Sequence, residues 1–194
     1  MVRAFIAIEL PPSIQQSIDR YLKQLQTELL SVPVRWVPVK HIHLTLKFLG
    51  DIPAEFIAPT ADLLKQVAVL AGDFELGIRS LGVFPNARRP RVLWLGVEED
   101  SGQLNHLQGS IDTVLEQLKF KPESRRFHPH LTIGRVKQSA RPGEISALAG
   151  QLDQTKQPHI GAFKAGAVHL IQSDLQAQGP IYTRLASAPL GDEQ

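Results

Sequence analysis

Residues 41–46 read His-Ile-His-Leu-Thr-Leu, and residues 128–133 read His-Pro-His-Leu-Thr-Ile. Four of the six positions are identical and a fifth exchanges Leu for Ile, with the copies 87 positions apart in a chain of 194 residues. Repeated apolar residues alone imply a duplicated core. A repeated His and Thr, two positions apart, implies duplicated chemistry. Ile42, Leu44 and Leu46 alternate with His43, Thr45 and Lys47, the pattern of a half-buried strand in which residues i and i+2 face the same way. His43 and Thr45 therefore share an outward face, and Leu44 and Leu46 turn to a core. His130 and Thr132 repeat this with Leu131 and Ile133 inward. Two such strands side by side bring two imidazoles and two hydroxyls to one cleft.

Imidazole has an ordinary pKa of about 6.5 and exchanges protons near neutrality. Two of them can divide the work, one as base and one as acid. A Thr hydroxyl is a neutral donor able to hold an anionic oxygen. The set suits in-line displacement at a phosphate diester, with no need of a nucleophilic Cys or a metal.

Each copy also carries an earlier His, so His41 and His128 give a His-x-His spacing known from metal sites. Four imidazoles could hold Zn or Cu, but no carboxylate lies within either motif. The expectation is therefore no metal and no cofactor, with His41 and His128 at strand ends near the cleft rim. Lys47 shares the face of His43 and Thr45 and is expected to be solvated. Phe5 is expected in the core. Arg88, Arg89 and Arg91 are expected in a solvated loop. His106, His159 and His169 carry no motif and are taken as structural or surface residues. Arg135 ends the second motif strand, where a planar guanidinium can stack on a base or fork onto a phosphate.

The chain resembles the 2H phosphoesterases, whose signature is a paired His-x-Thr-x with x apolar. The similarity is to their RNA 2′,3′-cyclic phosphodiesterase branch, also called 2′-5′ RNA ligase-like proteins. It extends through the opening Val2-Arg3-Ala4-Phe5-Ile6-Ala7-Ile8-Glu9-Leu10-Pro11, Trp36 with the run from His41 to Gly50, and Phe84-Pro85 with Pro90 to Gly96. It continues through Phe127 to Ile133 with Arg135, and closes on Gly179-Pro180-Ile181-Tyr182. That branch carries Arg at the position of Arg135, which favours a functional reading of it. The resemblance implies an α+β fold of two pseudo-symmetric lobes, with antiparallel sheets flanking a central cleft and helices on the outside. The whole of 1–194 is then a single bilobal domain.

Composition and segment order agree with this class. Hydrophobic residues at 43%, charged residues at 21% and a net charge of +2 describe an ordinary globular protein. A protein coating long nucleic acid through many phosphates is more basic, so an RNA end or a small nucleotide fits better. The absence of cysteine excludes disulfides and Cys-based metal sites. No apolar run approaches the roughly 20 residues that span a bilayer, and the N-terminus lacks a signal-peptide pattern. The expected protein is a cytoplasmic monomer that binds no membrane.

Periodicity predicts strands over 2–9, 42–48, 74–83, 91–97, 129–136, 160–171 and 181–186. Helices are predicted from residue 12 (through Ile14, Ile18, Leu22, Leu25 and Leu29), after Pro53 (Ile57, Leu64, Val67 and Leu70 on one side), over 103–119, and briefly over 143–150. Strands and helices mix without strict β-α-β alternation, which favours α+β.

The resemblance implies hydrolysis of an RNA 2′,3′-cyclic phosphate to a 2′-phosphate, with no metal. By microscopic reversibility the same site could join a 5′-hydroxyl to make a 2′-5′ link. In the expected role split His130 is the base on water, His43 is the acid protonating the leaving 3′ oxygen, and Thr45 and Thr132 donate to the non-bridging oxygens. The pseudo-symmetry leaves the reverse assignment open. Two other readings remain: a non-catalytic module binding RNA ends or nucleotides, and a His-rich metal-dependent phosphoesterase.

Overall fold

Short antiparallel pairings, each stabilised by one apolar face, account for the architecture. A computed structural model describes residues 1–29, 33–176 and 179–191. In chain order the elements are β1 (Val2–Glu9), α1 (Pro12–Glu28), β2 (Val34–Trp36), β3 (His43–Ile52), α2 (Ile57–Ala71), β4 (Phe74–Phe84) and β5 (Val92–Glu98). They continue with α3 (Gln103–Leu115), β6 (His130–Val136), α4 (Pro142–Gln154), β7 (His159–Ala165), β8 (Ala167–Gln176) and β9 (Gly179–Pro189). The strands form one antiparallel sheet in the order β7-β4-β5-β6-β3-β1-β8-β9, with β2 added to β6.

The order is symmetric about the β6–β3 seam, with four strands on either side. Each side is a lobe, but a lobe is not a half of the sequence. The hairpin β4–β5 lies with β6, and the hairpin β8–β9 lies with β1 and β3. Strands β7 and β8 sit toward opposite ends of the order, yet Gly166 alone separates them in the chain. Adjacent Cα atoms are only about 3.8 Å apart, so the two ends must approach one another. The sheet is therefore curled.

The helices cover the apolar side. Pro11 and Pro12 end β1 and open α1, where a missing N–H costs nothing. Ile14, Ile18, Leu22 and Leu25 form its buried stripe, and α1 packs on β7. Helix α2 packs on β8, β9 and α3, and α3 reaches β3. Buried residues from all these elements form one large hydrophobic cluster, each fully buried Leu or Ile contributing about 1.5–3 kcal/mol. Among the described residues no helix is long and apolar enough to cross a membrane.

Several predicted elements differ in extent. Leu70 is 88% exposed rather than buried, because α2 begins at Ile57, after a 3-10 turn at Ala54–Phe56, and turns Thr60, Leu64, Val67 and Ala68 inward. Helix α4 runs beyond the predicted end at residue 150, to Gln154. It is fixed at its start by the Arg141 N–H donating to Glu144 Oε2 at 2.7 Å. The single strand predicted over 160–171 is two strands belonging to different lobes. Strand β2 has no counterpart among the predicted strands. Its three residues carry no alternation of their own and exist as a strand only through β6.

Candidate active site

The seam between the lobes is one residue pair. Leu44 lies opposite Leu131, and both are buried, at 1% and 0% exposure. Antiparallel register then sets His43 across from Thr132 and Thr45 across from His130, all four on the face opposite the leucines. Residues directly opposite have Cβ atoms about 4.5–5.5 Å apart, and diagonal neighbours about 7–8 Å. The two imidazoles thus stand diagonally, each beside the other strand's threonine, related by a pseudo-twofold at the Leu44–Leu131 pair. Among the described residues neither threonine hydroxyl has a hydrogen-bond partner, so both are open to the cleft.

Beyond the His-Thr pair each strand contains a bulge at the same place. Ile6 pairs with Lys47 and Ala7 with Thr45, which leaves Leu46 extra. Leu93 pairs with Gly134 and Trp94 with Thr132, which leaves Ile133 extra. A bulge reverses the alternation that follows it. Leu46 and Lys47 are both buried and Phe48 emerges on the cleft face, 74% exposed. Ile133 and Gly134 are both buried and Arg135 emerges at the equivalent position.

Lys47 therefore departs from the expectation of a solvated residue. It is 7% exposed, ion-paired with Asp112 of α3, and donates to the Lys121 carbonyl at 2.9 Å. Gly134 takes its place in the second copy, where a Cβ would lie 2.7 Å from Val34 Cγ1 and 3.3 Å from the Trp36 ring of β2.

Each motif histidine sits in an aromatic collar. Phe5 stacks on His43 with centroids 4.6 Å apart, and Tyr182 meets His43 edge-on at 5.2 Å. Phe84 meets His130 edge-on at 5.0 Å, with Trp94 at 6.4 Å. Phe5 is thus buried as expected, and its ring is committed to His43. The His-x-His pattern also finds its use. His130 Nδ1 is 2.7 Å from the His128 carbonyl, and the His43 ring is likewise hydrogen-bonded to the backbone of His41. An Nδ1–H held by a carbonyl fixes the tautomer and leaves Nε2 free to accept a proton in the cleft. The rings of His41 and His128 pack against Tyr182 and against Phe84 and Trp94.

Burial pushes the His43 ring down to about 4, against opposing contributions from the His41 backbone and the Glu9 carboxylate. Burial lowers His130 as well, opposed by its bond to the His128 backbone and reinforced by the His128 and Arg135 charges. Both rings are neutral in the free protein at pH 7. Burial raises the Tyr182 hydroxyl, and Arg135 works against that rise. Arg135 thus lies within electrostatic reach of both collars.

A carboxylate flanks the first ring, and among the described residues none stands at the equivalent position beside the second. Glu9, paired with His43 across β1 and β3, forms an ion pair with Arg184 of β9. His169 is 4.0 Å from Glu9, and its Nδ1 is 2.9 Å from Ser187 Oγ. Gly96 faces His130 where Glu9 faces His43, and a Cβ there would clash with Ser80 and Arg79.

Sequence reasoning did not single out Glu9, Phe48, Tyr182 or Arg184 as site residues, and it set His169 aside as structural or surface. Tyr182 lay within a segment already similar to the family, which was its only signal. Arg88, Arg89 and Arg91 are exposed at the β4–β5 loop, and His106 and His159 are exposed away from the cleft. Among the described residues no group of three or more His, Cys, Asp or Glu side chains could hold a metal.

The pattern of the LigT-like phosphoesterases matches this chain twice, at residues 8–94 and 95–182. The RNA 2′,3′-cyclic phosphodiesterase of Methanothermobacter thermautotrophicus is 35% identical over 182 residues, 94% of this chain and 95% of its own. The protein of the same name from Aquifex aeolicus is 31% identical over 192 residues, 98% of both chains. Among solved structures, a Thermus thermophilus protein at 28% identity superposes with TM-score 0.75, covering 98% of this chain and 100% of its own. E. coli LigT complexed with 3′-AMP, at 23% identity, shares the fold with TM-score 0.78 over 98% and 99% of the two chains.

Proposed function

Because the chain belongs to the LigT-like phosphoesterase family, we propose that it hydrolyses RNA 2′,3′-cyclic phosphate ends to 2′-phosphates by two-histidine acid–base catalysis. The observation that carries this reading is the Leu44–Leu131 register, which leaves His43, Thr45, His130 and Thr132 on one face with both threonine hydroxyls unclaimed among the described residues.

Water attacks phosphorus in line with the 3′ oxygen. His130 Nε2 takes the water proton. The P–O3′ bond breaks, and His43 delivers a proton to O3′, leaving a 3′-hydroxyl and a 2′-phosphate. The hydroxyls of Thr45 and Thr132 donate to the non-bridging oxygens, where charge builds in the transition state. With a ribose 5′-hydroxyl in place of water as the nucleophile, the same steps form a 2′-5′ phosphodiester, and their reversal cleaves it.

Two effects compete in assigning the roles. Burial in the free protein depresses His43 more than His130, which on its own favours His43 as base. An anionic phosphate between the rings offsets burial at both. Fixed charge then discriminates: the Glu9 carboxylate favours imidazolium at His43, and Arg135 disfavours it at His130. His43 is accordingly the acid and His130 the base. The chain acts as one bilobal domain, since the cleft needs a strand from each lobe.

The test is turnover of an oligonucleotide ending in a 2′,3′-cyclic phosphate, after exhaustive chelation, with the product phosphate located. A 2′-phosphate is the expected product. Inactivity restored by Zn²⁺ or Mn²⁺ would replace this reading with the metal-dependent one.

A further inference from the structure

Strand β2 breaks the symmetry of the cleft, because among the described residues only β6 has such a partner. Its register sets Arg35 directly opposite Arg135. Val34 and Val136, one step away in the same register, are both buried, so Arg35 and Arg135 project from the other face, the face of His130 and Thr132. Opposed like charges on neighbouring strands are destabilising. Among the described residues neither arginine is relieved by an acid: the arginines that form ion pairs are Arg3, Arg79, Arg125, Arg141 and Arg184. The base of the β4–β5 loop, at Arg91, hydrogen-bonds to Val136 beside the pair and brings further basic residues rather than acidic ones.

We infer that Arg35 and Arg135 together bind the phosphodiester immediately upstream of the RNA end whose cyclic phosphate lies between His43 and His130. The inference rests on the proposed function and narrows its substrate to a strand rather than a lone nucleotide. Thr132 and Arg135 are successive cleft-facing positions on β6, on the order of 7–10 Å apart along the strand, the scale of one nucleotide step. Two guanidinium forks side by side match the four acceptor lone-pair directions of a phosphodiester's free oxygens. The other lobe offers no equivalent among the described residues: Phe48 stands where Arg135 does, and its arginines Arg3 and Arg184 are committed to Asp51 and Glu9. The strand therefore enters over the second lobe.

The measurement is a ratio, kcat/KM for a dinucleotide ending in a 2′,3′-cyclic phosphate over that for a nucleoside 2′,3′-cyclic phosphate, which lacks the upstream phosphodiester. The wild-type ratio is expected to exceed 1 by about tenfold or more, as for a charge-assisted contact. In Arg35→Gln it falls about tenfold, through KM, and Arg35→Lys recovers part of the loss. The salt dependence of dinucleotide binding becomes shallower by about one counterion in Arg35→Gln. An unchanged ratio in Arg35→Gln overturns the inference, whether both substrates suffer equally or neither does. If the wild-type protein turns over neither substrate, the proposed activity fails instead. The upstream site is then read by titrating a dinucleotide 3′-phosphate and a nucleoside 3′-phosphate, with the same loss of discrimination expected in Arg35→Gln and the same unchanged ratio overturning it.

Discussion

Strands β3 and β6 carry the same His-x-Thr and the same bulge, and then part company. After its bulge β3 buries Lys47 against Asp112 and exposes Phe48; β6 buries Gly134 against β2 and exposes Arg135. Glu9 flanks the first histidine, and Gly96 faces the second. The duplicated residues make the two sides of the cleft alike. The unduplicated ones make them unlike, and on the proposed reading they set which ring is the acid and the side from which a strand arrives.

The strongest challenge to the duplicated part is at the histidines. His43→Ala and His130→Ala are each expected to lose about 10²- to 10⁴-fold in kcat while the proteins keep their thermal transitions. A loss under tenfold in either sinks the paired mechanism. The double variant should lose less than the product of the two, because the rings act as a unit.

Next in size is the buried pair that only the first strand has. Lys47→Met leaves the Asp112 carboxylate with the Glu123 N–H but no cation and should cost about 3–5 kcal/mol in denaturant unfolding. Replacing both, Lys47→Met with Asp112→Leu, should restore most of that. If the single substitution is neutral, Lys47 does not hold α3 to the sheet.

Thr45→Ala and Thr132→Ala probe the symmetry itself. Each removes one donor to the phosphoryl group, worth up to roughly 2.7–4 kcal/mol in the transition state. Equal register predicts comparable losses, with Thr→Ser retaining much of the rate at both sites. If Thr→Ser is as harmful as Thr→Ala, the threonines serve packing rather than oxygen binding.

The smallest effect, and the one that separates the two rings, is the pH profile. The base must be neutral and the acid charged, so kcat/KM follows a bell. Both rings are lowered in the free protein, His43 to about 4. The maximum of kcat/KM therefore falls on the acid side of about 6.5, whereas that of kcat lies nearer neutrality, because the bound anion raises both. Glu9→Gln removes a carboxylate that raises His43 and should move the kcat/KM bell further to low pH. Loss of the basic limb in His43→Ala and of the acidic limb in His130→Ala would fix the assignment; the opposite pattern reverses it.

Alternation along each motif strand was enough to read which side meets solvent, and so to name His43, Thr45, His130 and Thr132. The stripe of α1 was legible for the same reason, since a period belongs to its own segment. Lys47 was misread because a bulge is defined against a partner strand: nothing in Leu46-Lys47-Phe48 marks the residue at which β1 fails to match it. The assignment of strands to lobes was invisible too, since β8 and β9 join β1 only through long-range pairing. Tyr182, Arg184 and His169 reach His43 and Glu9 by that route, and Arg35 meets Arg135 only because β2 adds to β6. The sequence by itself determined which side chains stand out from each motif strand, through local spacing. Tertiary structure alone decided the diagonal arrangement, the depressed His43 and the asymmetry of the cleft, because each depends on groups distant in the chain meeting across the sheet.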